Sequence, residues 1–205
     1  EGRFIRQTGG QGMYGVVKLR VEPFAPEKGA PHFEFYNEAP GDSLKREYIS
    51  AVERGVRDCL PMGVLAGYEL LNVRATLLDG KEHEVDSSEL AFENAGRLAF
   101  EAAVKEAGPV MLEPIMKLIV SVPEDYFGAV TGDLGARRGM ITETEHRRTT
   151  RVIHAEVALS EMFQYATKLR TLTQGRATWS MEPLKYQAMP PTKQKELLRL
   201  HGYVD

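Results

Sequence analysis

Residues 10–17 read GQGMYGVV, a G-x-G-x-x-G-x-V string. In protein kinases that string forms the loop over the ATP phosphates, and its first six positions also match the dinucleotide fingerprint. A second stretch, KEHEV at 81–85, sets His83 beside Glu84, a pair of residue types able to move protons. A third is ARRG at 136–139, where Arg137 and Arg138 stand beside a glycine and offer guanidinium groups to phosphate. Arg3/Arg6 and Arg147/Arg148/Arg151 form two further basic groups.

Each chemistry needs partners. The chain holds no V-A-I-K lysine, no H-R-D loop and no D-F-G, so the kinase reading has no catalytic set. It holds no Walker loop and no G-x-S-x-G elbow. The histidines, at 32, 83, 146, 154 and 201, show no H-E-x-x-H or other metal-ligand spacing. The residues therefore assign no catalytic, cofactor or metal site within this chain. A histidine in a polar loop is ordinarily solvated. The acids around it, Glu82, Glu84, Asp86 and Glu89, suit a helix N-terminus.

The elements that must carry these residues decide between the readings. A dinucleotide loop needs a helix directly after its glycines, because the helix N-terminus holds the pyrophosphate. Here YGVVKLRVE follows, with Val17, Leu19 and Val21 on one face of a strand. With RFIRQ before it, the glycine stretch reads as a hairpin. Its glycines then serve backbone turning and the close approach of a partner. Residues 31–39 alternate as a further strand. Tyr48, Val52, Val56 and Cys59 recur at helical spacing, and Pro61 with Gly63 ends that run. Residues 67–78 read as a strand ending at an Asp79-Gly80 turn. Asp86 with Glu89 three positions later reads as a capped helix start, followed by an Ala91, Ala95, Leu98, Ala102 stripe and a Gly108-Pro109 stop.

After PVMLEP the pattern restarts. A strand over 115–122 leads to Pro123 in a first helical turn and to a helix with Phe127, Val130 and Leu134 on one face. Strands follow near 139–147 and 151–159, then a helix from a Ser160 cap to Thr173, then a strand over 176–182. The order is β-α-β-β-α-β, the ferredoxin-like split. The expected fold class is α+β with two domains, 1–110 and 111–188, and a tail helix within 189–205.

Composition fits a globular chain: 42% hydrophobic and 27% charged over 205 residues, with a net charge of -3. A global electrostatic drive toward nucleic acid is thereby excluded, though not a local basic patch. The single cysteine, Cys59, allows no internal disulfide, suits a reducing cytoplasm, and is expected to be a small buried apolar residue. No apolar run reaches the roughly 20 residues of a membrane span. Glu1 opens the chain directly in strand-like sequence, as a piece of a longer protein would. The residues alone thus favour a binding module over an enzyme.

Several blocks together resemble one family. FIRQTGGQGMYGVV resembles the opening of domain IV of bacterial elongation factor G, the translocation GTPase. LLDGKEHEVDSSELAF resembles that domain's second tip loop and the helix after it. LEPIMKLIVSVPEDYFGAVTGDLGARRG resembles the opening of domain V, and LSEMFQYATKLRTLTQGRATW its second helix and last strand. The blocks follow the family's order over nearly the whole chain. The resemblance implies an α/β-sandwich domain with a rare left-handed β-α-β crossover, like a ribosomal protein domain, and then a ferredoxin-like domain. It implies that the tip enters the small-subunit decoding site as transfer RNA and messenger RNA move, with RNA contacts at Gly9, Gly10, Gln11, Gly12, Met13, His83 and Glu84. It places Arg137 and Arg138 near large-subunit RNA. GTP and Mg are implied for the parent protein, on a missing N-terminal part, and none for this fragment. The implied partners are the ribosome, transfer RNA, messenger RNA and ribosome recycling factor, in the cytoplasm and with no membrane.

Some positions depart from the family pattern. Gln11 stands where it is basic, Met13 where it is polar, and Gly135 where Asn is common; Pro61 interrupts a smooth helix end. These departures keep open a paralogue specialised in ribosome recycling, and behind it a tetracycline ribosomal-protection protein.

Overall fold

A computed structural model describes residues 1–8, 11–27, 29–41 and 43–203. The chain divides into two compact units, Glu1–Pro109 with Leu198–Asp205, and Val110–Leu197.

In the first unit, β1 (Gly2–Thr8) and β2 (Gln11–Pro23) pair antiparallel from Gly2↔Val17 to Thr8↔Gln11. β3 (Phe33–Asn37), α1 (Arg46–Arg57) and β4 (Val73–Lys81) form a crossover in which β3 and β4 run parallel. α2 (Glu89–Ala107) follows, and the sheet order is β1-β2-β4-β3. Alternation puts Val17, Leu19, Phe33, Ala75 and Leu77 into one core with Tyr48, Val52 and Val56 of α1 and Phe92, Ala95, Ala99 and Phe100 of α2. Tyr48 and Phe92 stack with ring centroids 4.5 Å apart. Cys59 belongs to this core, and burial pushes its thiol up to about 11.

Three expectations are corrected here. The fourth strand starts at Val73, not near residue 67, and runs straight through Asp79-Gly80. Lys18 pairs with Asp79 and Leu19 with Leu77, so Leu78 is the extra residue of a bulge. Gly80 is needed for space: a Cβ there would lie 2.3 Å from Cδ1 of the buried Leu44. The α2 cap is Ser88, whose hydroxyl accepts from the Ala91 N–H at 3.2 Å; Asp86 is used elsewhere. The buried stripe of α2 is Ala91, Phe92, Ala95, Gly96, Ala99, Phe100 and Val104, and it leaves Leu98 and Ala102 exposed. The two phenylalanines outweigh the alanines in choosing which face is removed from water.

The second unit carries β5 (Leu112–Pro123), a 3-10 turn (Glu124–Tyr126), α3 (Phe127–Ala136), β6 (Met140–Arg147) and β7 (Thr150–Ala158). A second 3-10 turn (Leu159–Glu161), α4 (Tyr165–Thr173), β8 (Thr178–Ala188) and α5 (Pro191–Leu200) complete it, the last helix ending in residues grouped with the first unit. The sheet order is β6-β7-β5-β8, with every pair antiparallel, which is the ferredoxin-like arrangement. Met116, Leu118, Val120 and Val122 of β5 meet Val130, Leu134, Tyr165 and Leu169 in its core.

Two starts and one end differ from expectation. Pro123 closes β5, and the 3-10 turn lies between it and α3. Ser160 lies in the other 3-10 turn, and α4 begins at Tyr165 after Gln164, which takes φ 57 and makes no side-chain cap. β8 continues to Ala188, well beyond 182, because β5 pairs with it back to Leu112.

Candidate nucleic-acid interface

The hairpin and the loop after β4 meet at one end of the first unit. Gly9, Gly10 and the Gln11 side chain lie outside the described residues. Gly12 pairs with Gln7, Met13 with Arg6, Tyr14 with Ile5 and Gly15 with Phe4, so Gly12 and Gly15 sit inside a ladder and the segment after them is strand. That geometry supplies no helix N-terminus for a pyrophosphate, which removes the nucleotide-loop reading.

Two bonds fasten the loop over 82–88 to β2, and a third closes the loop on itself. The Tyr14 N–H donates to the Asp86 carbonyl at 2.8 Å, and the Ser87 hydroxyl donates to the Tyr14 carbonyl at 2.9 Å. The His83 N–H donates back to the Ser87 hydroxyl at 2.8 Å. The Asp86 carboxylate then lies over Gly12: a Cβ at that glycine would be 2.6 Å from the Asp86 Cγ. The missing side chain makes room for a second loop of the same molecule.

His83 stands 55% exposed, its ring 5.9 Å from that of Tyr14. Its Nδ1 has two neighbours, Asp86 Oδ2 and the Val85 N–H, both at 3.5 Å. Glu84 is exposed, Met13 half-buried, and Val85 is 75% exposed at the crest of the loop. Sequence reasoning missed Asp86, Ser87 and Val85 as site residues. The one available signal was an apolar Val85 within the polar run KEHEVDSSE.

Arg137 and Arg138 follow α3, far along the chain and in the other unit. Arg137 Nε donates to Asp133 at 2.9 Å, and its terminal nitrogen donates to the Glu161 and Phe163 carbonyls. Its guanidinium lies 5.2 Å from the Tyr165 ring. Arg138 takes φ 57 and makes a two-pronged pair with Glu113 at 3.0 Å on each prong, adding Glu161 at 2.9 Å. The Glu113 side chain is only 5% exposed. Its carboxylate, and then Glu161, holds the Arg138 proton well above the usual range.

Two members of the other basic group are paired too. Arg147 bonds Glu145, and Arg151 bonds Glu124. These partners hold both carboxyls below the usual range, with Arg147 the largest influence on Glu145 and Arg151 on Glu124. Arg148 makes no ion pair among the described residues and takes φ 54 in the turn between β6 and β7. His32 contacts Asn72, His146 Glu124, His154 Glu145 and His201 Tyr68. Among the described residues no group of His, Cys, Asp and Glu could hold a metal, and no helix is long and apolar enough to cross a membrane.

Known proteins share this sequence and this fold. The family profile described as "Elongation factor G, domain IV" matches residues 1–108, and that described as "Elongation factor G C-terminus" matches residues 110–197. Elongation factor G of Pseudothermotoga lettingae is 50% identical over 200 residues, which are 98% of this chain and 29% of that protein. The chain therefore spans under a third of that relative's length. A crystal structure of a Thermus thermophilus protein superposes with a TM-score of 0.85 at 38% identity, over 98% of this chain and 30% of the other. The chain belongs to the elongation factor G family and carries that family's domain IV followed by its C-terminal domain.

Proposed function

We propose that this chain is the RNA-facing C-terminal part of a ribosomal translocation factor. The hairpin and the loop over 82–88 form its working tip. The observation that carries the reading is the fastening of two loops from distant sequence into one end, with His83, Glu84 and Val85 left outward. RNA helices are met chiefly through shape and through sugar and phosphate contacts, so a slim tip needs little positive charge.

In this reading Gly9, Gly10, Gln11, Gly12, Met13, His83 and Glu84 contact transfer RNA and messenger RNA in the small-subunit decoding site. Residues 1–110 form the tip-bearing domain, 111–188 the domain that faces large-subunit RNA, and 189–205 the tail. For Arg137 and Arg138 the role is narrower: they hold the turn between α3 and β6, and RNA meets the turn they shape. The full-length protein is a cytoplasmic GTPase that uses GTP and Mg outside these 205 residues, with the ribosome as its partner.

The test uses the full-length protein. Pre-translocation ribosomes receive factor and GTP, and puromycin reactivity of the peptidyl-transfer RNA is followed. Rapid gain of reactivity is expected. His83→Ala is expected to slow that gain by up to about tenfold while GTP hydrolysis changes less than about twofold, since one lost hydrogen bond is worth about 0.5–1.5 kcal/mol. No gain with the unaltered protein, or an equal loss of both activities in the variant, would contradict the reading.

A further inference from the structure

Three arginines stand around the turn between β6 and β7, and the fold uses them differently. Arg147 bonds Glu145 at 2.6 Å. Arg151 bonds Glu124 at 2.7 Å, and that carboxylate also has His146 at 3.3 Å. The Arg148 side chain is exposed and makes no hydrogen bond or ion pair among the described residues.

The backbone at Arg148 is strained as well. Arg147 pairs with Thr150, so Arg148 and Thr149 form a two-residue hairpin connection, and Arg148 takes φ 54. At the first central position of such a connection a left-handed backbone calls for glycine, because a side chain crowds it. The turn is held from both sides. The Thr150 hydroxyl donates to the Arg147 carbonyl at 2.9 Å, and the Glu124 N–H donates to the Thr149 carbonyl at 3.2 Å. Arg138 carries the same strain at φ 57, but its three bonds to Glu113 and Glu161 offset it. No side-chain bond offsets it at Arg148.

We infer that Arg148 is a phosphate-binding residue, whose guanidinium, held out at the crest of this turn, meets the backbone of large-subunit RNA. Strained backbone persists at ligand contacts, where the side chain it presents has its partner outside the fold. A guanidinium only donates, a phosphate oxygen only accepts, and the planar fork matches two phosphate oxygens. Thr149 beside it is exposed and offers a hydroxyl to the same phosphate or to its sugar. Asp125 and Glu124 line the hollow next to the turn, so a free anion lodged there would meet carboxylates. A phosphate carried on an RNA backbone meets the crest alone. This inference rests on the reading that residues 111–188 face large-subunit RNA, and it names a side chain that does so.

Stability and ribosome binding are expected to move in opposite directions at this residue. Arg148→Gly relieves the left-handed backbone. The folding equilibrium constant, read by Trp179 fluorescence in denaturant, is expected to rise about threefold, the greater chain entropy of glycine taking part of the gain. Ribosome affinity of the full-length protein, bound with a non-hydrolysable GTP analogue, is expected to fall. The slope of log affinity on log salt is expected to shrink by about 0.7–1, the share of one phosphate contact. Arg148→Lys keeps the charge and is expected to keep the slope. An unchanged slope in Arg148→Gly, or an equal loss in the Lys and Gly variants, would overturn the assignment.

A photo-crosslinker attached through Arg148→Cys identifies the ligand. It is expected to reach large-subunit RNA. Capture of a ribosomal protein alone would make the ligand an acidic protein surface and overturn the phosphate assignment. A second probe, through Ala136→Cys at the exposed end of α3, keeps this failure apart from that of the domain reading. RNA reached from 136 but not from 148 would overturn the role of Arg148 and leave the domain reading standing. RNA reached from neither would overturn both.

Discussion

The two places that looked chemically promising, the glycine hairpin with His83 and the Arg137/Arg138 pair, end up opposite in character. The hairpin end is poor in positive charge and sits in the unit whose residues 1–109 hold 13 Lys and Arg against 18 Asp and Glu. Yet its bonds go into fastening the loop to β2 through backbone groups and the Ser87 hydroxyl, and Glu84 and Val85 stay exposed. The arginine pair sits in the unit whose residues 110–197 hold 12 Lys and Arg against 10 Asp and Glu. There the guanidinium groups are committed to Glu113, Asp133, Glu161 and two carbonyls. A residue's type is thus a weaker guide to function than whether the fold has already used its hydrogen bonds. Counterion release scales with the cations that actually reach phosphate, not with those a sequence contains.

The comparison breaks first at Arg138. Arg138→Met strands the Glu113 carboxylate at a site 5% exposed, and removing one partner of a buried pair costs about 3–5 kcal/mol. Trp179, the single tryptophan, lies in the second unit with its ring 5.5 Å from Tyr165, so denaturant unfolding followed by its fluorescence reads that unit. A large drop in midpoint is expected for Arg138→Met. Arg148→Ala, which removes the same charge without an ion pair, is expected to shift stability by under about 0.5 kcal/mol. Equal effects would mean that the pair is not structural. The raised proton affinity of Arg138 gives its pH sign: a group whose folded value is raised stabilises at all pH below its unfolded value. This contribution is therefore constant across neutral pH and fades only under strongly alkaline conditions.

A smaller effect sharpens the other side. Ser87→Ala removes the 2.9 Å bond to Tyr14 and the 2.8 Å bond from His83, and is expected to cost about 1–2 kcal/mol confined to the tip. Hydrogen exchange at the Tyr14 amide, which donates to Asp86, is expected to speed up about tenfold with amides of β5 and β7 unchanged. Exchange that accelerated throughout both units would show that the fastening supports the whole fold.

Periodicity and turn chemistry made most elements legible. Helical spacing at Tyr48, Val52 and Val56 and alternation along β5 are local patterns imposed by burial, and both reappear in the cores. The misread features were those in which a local pattern serves a distant partner. Asp79-Gly80 has turn chemistry, but Leu44 requires the glycine and β2 keeps the strand going. Asp86 has cap chemistry, but Tyr14 holds its backbone and Gly12 receives its side chain. The same limit applies to the tip. Both loops can be found as loops, whereas their union depends on contacts between residues near 12–14 and residues near 86–87. No short-range rule encodes those contacts.

The most direct test of the central claim places a tethered hydroxyl-radical source at residue 85 of the full-length protein, through Val85→Cys, and in a separate protein at residue 148, through Arg148→Cys. Each is bound to ribosomes, and RNA cleavage is mapped. The source at 85 is expected to cut small-subunit RNA around the decoding site, and the source at 148 is expected not to. Cleavage of the decoding site from 148 but not from 85 would contradict it, because the fastened hairpin and loop would then not be the end that faces the moving RNA.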